Sequence, residues 1–176
     1  RLDPSKNVHL FSDIIFDPNL TSTISSIDVY GRPANLESEK YFFDLKTSIK
    51  AKSQESSITF HGSISRALIP KIAKKYDIFL NLFTGSLDKT LIEATFMGMP
   101  VITWNSEYCS QFGTWSNSSV RETQDFIIKE FESIYSLEEI ELQNEVTRRL
   151  GLAAENHSFE GWVNRLVYVL KKGELS

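Results

Sequence analysis

Between Phe83 and Glu93 the chain reads FTGSLDKTLIE, a small polar loop running into a helical pattern. Thr84, Ser86 and Thr90 supply hydroxyls, Lys89 supplies a positive charge, and Gly85 lets backbone approach a ligand closely. The first-turn N–H groups of the helix, Leu87 to Thr90, have no partner within the helix, and its dipole favours negative charge there. Such a loop suits a phosphate or a diphosphate. A plainer alternative is that Ser86 or Asp88 only caps the helix, and local chemistry leaves both readings open. Glu93, about one turn further on, also has two readings. As an exposed partner of the helix dipole it would gain about 0.3–1 kcal/mol. Aimed at a pair of hydroxyls, such as a ribose diol, it could form charge-assisted hydrogen bonds worth about 1.5–3 kcal/mol each. Spacing alone does not choose.

The elements that would position these groups can be read on either side. DIFLNLF is a continuous apolar run, the mark of a strand, Ile78–Phe83, buried on both faces of a parallel sheet. Gly98 stops the following helix, and PVITW begins the next strand. Upstream, Val8, Phe11, Ile14 and Ile15 stand at helical spacing, with Ser5 as the expected cap. Ser25–Gly31 and Ile58–Gly62 read as strands, and 36–49 as a helix with Phe42, Leu45 and Ile49 inward. Pro70 restricts the next helix to about 68–76. Residues 105–119 read as a polar loop. Three helices follow, near 120–135, 137–152 and 159–172, with a capping box expected at Ser136. Alternating strand and helix imply an α/β fold: a Rossmann-like, doubly wound parallel sheet with helices on both faces. Ligands in such sheets bind at the carboxyl ends of the strands.

Composition narrows the function. A chain of 176 residues is one domain and, at roughly 70% of its unfolded surface buried, needs no staples. A net charge of -4 argues against nucleic acid as a partner, while leaving room for a local basic pocket. Cys109 is the sole cysteine, which excludes an internal disulfide and fits a reducing, cytoplasmic location. No apolar run approaches the roughly 20 residues of a membrane span. The opening RLDPSK has no leading strand, so the chain is expected to be a piece of a longer protein. His9, His61 and His157 are not at ligand spacing with one another and are read as structural, as are Trp104, Trp115 and Trp162. Trp162 shares an apolar helix face with Phe159, Val163, Leu166 and Leu170 and is expected in the core.

GSLDKTLIEATFMGMPVIT resembles the donor-site segment of retaining glycosyltransferases of the GT-B fold, in particular glycosyltransferase family 4. Their pattern is an acid, seven residues, a second acid, then A-x-x-x-G-x-P-V; Glu93, Ala94, Gly98, Pro100 and Val101 match its second half. RLDPSK resembles the family's G-R-L-x-x-x-K turn at Arg1, Leu2 and Lys6. ITFHGSI resembles the strand and turn that hold the nucleotide base, around Gly62 and Ser63, and NHSFEGWVNRLVYVL resembles the C-terminal helix. The resemblance implies the C-terminal, donor-binding half of a GT-B fold. It implies Arg1 and Lys6 as electrostatic catalysts on the donor diphosphate and Glu93 as the ribose anchor. Gly62, Ser63, Gly85, Ser86, Leu87, Asp88, Lys89 and Thr90 would line the nucleotide site. The family's first acid falls at Gly85, so the sugar is left to Asp88 or to backbone.

The implied reaction moves a hexose from a UDP- or GDP-sugar to a glycan or lipid-linked acceptor, with retention. No D-x-D triplet is present, and basic side chains are expected in place of a metal. The acceptor side belongs to an N-terminal domain outside this chain, which could also bring the protein to the inner face of a membrane. The chain alone is therefore expected to bind nucleotide but transfer little sugar. The alternative is a degenerate, non-catalytic nucleotide-sugar-binding or assembly module. A dinucleotide dehydrogenase is disfavoured by the missing G-x-G-x-x-G. A phospho-accepting regulator is disfavoured because Asp77 stands at the wrong end of its strand.

Overall fold

The computed structural model describes residues 2–15, 17, 20, 23–51, 58–118 and 122–172. Arg1, the loop 53–57 and the expected helix start at Val120 lie outside them. Two short parallel strand pairs organise the rest. β1 (Ile27–Tyr30) pairs with β2 (Ile58–Gly62), Ile27 opposite Ile58 and Tyr30 opposite Gly62, with the register slipping after Val29. β3 (Phe79–Leu80) pairs with β4 (Val101–Ile102). The helices are α1 (His9–Ile15), α2 (Leu36–Ala51), α3 (Ile69–Ala73), α4 (Lys89–Phe96), α5 (Ser106–Phe112), α6 (Gln124–Ser136), α7 (Glu139–His157) and α8 (Phe159–Lys172).

β4 shows why helices cover both faces. Successive strand residues point to opposite sides, and both Val101 and Ile102 are buried. Ile102 joins a cluster with Phe11 and Ile14 of α1, Leu45 and Ile49 of α2, and Phe126 and Phe131 of α6. That cluster also takes Val29 of β1, Ile58 of β2 and Leu82, so the two strand pairs share one core. Val101 joins a second cluster with Leu91 and Ala94 of α4, Tyr108 and Phe112 of α5, and Ala153 of α7. The arrangement is a doubly wound α/β fold.

Regular pairing in β3 stops earlier than the apolar run suggests. Asn81 N–H still donates to the Ile102 carbonyl (3.1 Å). Beyond it, side chains replace the ladder. The Leu82 carbonyl accepts from Asn7 Nδ2 (2.9 Å) and Trp104 Nε1 (2.5 Å), and Phe83 N–H donates to Asn81 Oδ1 (3.0 Å). At the other end of α4, Gly98 adopts φ +74° and Met99 N–H returns to the Ala94 carbonyl (3.1 Å). A left-handed residue just past the last turn is the usual helix stop, and glycine adopts it at least cost.

Four expectations are corrected. Asp3, not Ser5, caps the opening turn, because its carboxyl accepts the Ser5 N–H (3.0 Å). The capping box is Glu138 with Glu141; Ser136 ends α6, and Leu137 between them is extended. The polar stretch 105–119 contains α5. Trp162 is about half exposed (54%) and Phe159 more so (79%), so the apolar face of α8 is open rather than core. An amphipathic stripe announces a face that can be buried, not that the same chain supplies its cover.

Glu130 is a buried carboxyl on α6. It accepts Trp115 N–H (2.9 Å), Ser116 N–H (2.8 Å) and the Ser116 hydroxyl (2.5 Å), tying the segment after α5 to the core. Removing it strands these donors, each costing about 1–3 kcal/mol if left unsatisfied. Glu130→Ala is expected to destabilise the protein by about 3 kcal/mol, read as a lower urea midpoint. Glu130→Gln, which keeps one acceptor, should lose roughly half as much.

Candidate functional site

The N-terminus of α4 sits at the carboxyl end of β3, where sheets of this kind hold ligands. Its cap is Asp88. One carboxyl oxygen accepts the Thr90 N–H (3.0 Å) and hydroxyl (2.9 Å), the ordinary capping geometry. The other accepts Lys6 Nζ at 2.7 Å and Asn81 Nδ2 at 3.3 Å. Lys6 comes from a single 3-10 turn, Pro4–Lys6. Asn7 then turns the chain through a left-handed conformation (φ 52°) and ties it to Leu82. Residues 82 apart in sequence thus meet in one ion pair. The ammonium also stands 3.7 Å above the centre of the Phe83 ring.

Burial pushes the Asp88 carboxyl upward, but Lys6 and the two Thr90 donors outweigh it and hold its pKa at about 2. Asp88 is therefore ionised at neutral pH and fully occupied as cap and ion-pair partner. Asp88 is also the residue to which the resemblance leaves the sugar in place of an acid at position 85, and its two oxygens here serve the cap and the ion pair.

The loop itself is held from behind. Asn105, wholly buried, caps α5 by accepting the Tyr108 N–H (3.0 Å). Its Nδ2 donates to the Gly85 carbonyl (2.8 Å), with the Phe83 and Ser86 carbonyls at 3.5 Å. In a trans peptide the carbonyl and the next N–H point opposite ways. With the Gly85 carbonyl turned inward, the Ser86 N–H faces out of the protein. Thr84, Gly85, Ser86, Lys89 and Thr90 are exposed around it, while Leu87 packs against the second cluster.

Glu93 lies one turn along α4 and pairs with Arg66, from the 3-10 turn Arg66–Leu68 that follows β2. Gly62 ends that strand and Ser63 follows it. Ser63 lines a cavity of about 670 Å³ with Gly31, Arg32, Pro33, Ala34 and Glu39, at the carboxyl ends of β1 and β2. His61 pairs with Asp28 and stacks on Tyr30 (4.6 Å between centroids). Tyr30 also shares a hydrogen bond with Tyr76 (2.6 Å). Lys6 and Glu93 thus have different partners. The Ser63 cavity, Arg66 with its partner Glu93, the α4 N-terminus and the Lys6–Phe83–Gly85 corner all follow the carboxyl ends of strands, the edge where sheets of this kind hold ligands.

No protein-family model matches the sequence, and no curated protein matches it. Among solved structures the chain is similar to that titled "Crystal Structure of TarM", with a TM-score of 0.69 and 16% identity. The match covers 96% of this chain and 33% of that one, so the chain spans about a third of that protein's length. The likeness is one of fold: this chain shares the GT-B type of fold with about a third of that structure. In a GT-B domain the edge described above is the carboxyl-end edge of the sheet.

Sequence reasoning missed Phe83, Asn105 and Arg66. Asn105 did carry a signal: Asn before Ser-Glu, with Tyr108 and Phe112 four apart, is a capped amphipathic start. Arg66 carried none, since its partner is 27 residues away across two elements.

Replacing Asp88 with Ala is expected to cost about 0.5–2 kcal/mol through the lost cap alone. A lowered folded-state pKa adds stability above the unfolded value, about pH 4, which is lost as the pH falls toward about 2. Thermal melts from pH 6 to pH 2 should therefore fall more steeply for the wild type than for Asp88→Asn.

Proposed function

We propose that this chain is the donor-binding domain of a retaining glycosyltransferase of the family 4 type, taking a UDP- or GDP-sugar along the edge just described. The observation that carries the reading is the meeting of Lys6 with the capped N-terminus of α4, within a GT-B fold. A cation and outward backbone amides converge there, as a diphosphate requires. The cavity beside Ser63 has room for a base, and Glu93, about one turn into α4, can accept ribose hydroxyls.

As the glycosidic bond to the diphosphate breaks, negative charge grows on the departing phosphate. Lys6 and the amides from Ser86 to Lys89 would stabilise it as fixed donors, with Arg1 as a second cation. Lys6 is 24% exposed at its side chain and has three N–H donors, so it can turn one to phosphate while keeping Asp88. This chemistry asks for no metal. The acceptor, a glycan or lipid-linked hydroxyl, would come from a partner domain. Holding both substrates together is worth about 7–11 kcal/mol of a barrier. No helix among the described residues is long and apolar enough to cross a membrane. In this reading the protein works in the cytoplasm.

A second reading has its own observation. Lys6 and Glu93 are each paired within the chain, as they would be in a degenerate module that binds nucleotide sugars without transferring them, or only assembles. Calorimetry with UDP and GDP decides first whether there is a site. Wild type should bind one of them, and Glu93→Ala and Lys6→Ala should each weaken it tenfold or more, about 1.4 kcal/mol. No binding by wild type would sink the donor-site reading. Intact binding with no transfer by the protein joined to its acceptor domain would favour the non-catalytic one.

A further inference from the structure

The side of β2 turned away from β1 is a sheet edge. Among the described residues β2 pairs with β1 alone, and its Thr59 and His61 are exposed. Alternate N–H and C=O groups of such an edge point outward, where another extended segment can take them. The second half of α2 and this strand flank a cavity of about 480 Å³, lined in part by Phe43, Lys46, Lys50, Ile58, Thr59 and Phe60. Phe43 stands there 70% exposed. Lys46 holds its ammonium over two rings, 4.5 Å from the centre of Phe42 and 5.7 Å from that of Phe60. Among the described residues no carboxylate pairs with it. Asp44 lies on the opposite flank of α2, since residues two apart on a helix are about 200° apart. Glu39, nearly two turns away, lines the other cavity, beside Ser63.

Side chains of a strand added here would alternate between the two faces of the sheet, so every second one would turn toward α2. On that side it meets the rings of Phe43 and Phe60 and the Lys46 ammonium. We infer that the open edge of β2 takes an extended acidic segment of another protein as an added strand, with apolar and acidic side chains on one face packed against Phe43, Phe60 and Lys46. Charge sets the sign of the partner: a carboxylate would give Lys46 the anion it lacks, and a basic segment would be repelled. The edge sets its shape, because only an extended segment uses the outward backbone groups, which a helix or a flat lipid surface leaves unmet. A second copy pairing edge to edge would bring its own Lys46 to the same groove, and like charges facing across strands destabilise the pair. The groove lies along α2 and β2, apart from the α4 N-terminus, so the inference stands independently of the donor-site reading.

The test uses the whole chain and a fluorescein-labelled peptide, acetyl-Thr-Glu-Thr-Leu-Thr-Glu-Thr-amide, whose Leu and Glu side chains share one face when extended. Binding is read by fluorescence anisotropy, up to about 1 mM protein. Wild type should bind this peptide, and a version with both Glu replaced by Lys should bind about tenfold more weakly. Lys46→Glu should weaken the acidic peptide about tenfold and Phe43→Ala about fivefold, with unchanged thermal melts, since both side chains are exposed. Two further peptides carry N-methyl groups at the odd or at the even positions. A strand on β2 donates from one set only, so one methylated peptide should lose about tenfold and the other less than about threefold. Equal binding of the two methylated peptides would overturn the inference, as would an affinity that Lys46→Glu does not change. Absence of peptide binding overturns it as well, and sedimentation with phosphatidylserine–phosphatidylcholine vesicles in that case would assign the patch to a lipid surface instead.

Discussion

One carboxylate joins the two parts of the candidate site. Asp88 has two oxygens and uses each for a different element: one closes the first turn of α4 onto Thr90, the other holds Lys6 and Asn81. Serine or threonine would cap the helix equally well but has a single oxygen, so it could not also receive a lysine from the far end of the chain. Because the cap and the ion pair share a side chain, the direction of α4, the position of the opening turn and the conformation of the loop before the helix are set together. Asn7 and Trp104 reinforce this by taking the Leu82 carbonyl that a longer strand would have used.

That junction stands on a thin sheet. β3 and β4 pair over only two residues each, yet Leu82, Val101, Ile102, Thr103 and Trp104 are all buried. The apolar run is long because the chain stays between two helical layers after the ladder ends, not because the strand continues. Burial on both faces and backbone pairing are separable, and here side-chain donors substitute for the second once it stops. The consequence for the site is direct. A regular strand through Phe83 would have pinned the loop by its own ladder, whereas Asn105, Asn81 and Asn7 now hold it by amide side chains that can be aimed individually.

The sequence made some of this legible because some signals are local. Ile58–Gly62 and Phe159–Lys172 were bounded correctly, since glycine ends one and the 3.6-residue stripe sets the other. Leu45 and Ile49, four apart on α2, are buried as their spacing requires. The convergence of Lys6 with the 85–90 loop came from the paired motifs, not from spacing; no local rule reports on a partner 82 residues away. Nor could periodicity say that Trp162 lacks a cover, that Glu138 would displace Ser136 as cap, or that the ring of Phe83 would lie on Gly85. Each of those depends on which of several sterically allowed turns the packed chain adopts. α5 was hidden for a different reason: seven residues rich in Ser, Glu and Gln give too short a stripe to stand out against a loop.

Pairing within the chain does not by itself close the site to a ligand. Arg66 is 65% exposed and Glu93 30%, and an ion pair that open to water contributes about 0–1 kcal/mol. In the proposed reading, a ribose diol offering two hydrogen bonds to Glu93 would compete well against it, with the arginine free to stay on the second oxygen. Lys6 and Asp88 are less exposed, and there the argument runs the other way. Their pair neutralises a carboxylate that would otherwise repel an anion at the helix end, so the proposed reading needs the pair kept. With both charges balanced, what remains at the helix end is backbone: the Ser86 N–H turned outward by Asn105 and the first-turn amides ahead of Thr90, whose own N–H is taken by Asp88. Those donors cannot be titrated away or swung aside, which is the property that electrostatic stabilisation of a leaving group demands.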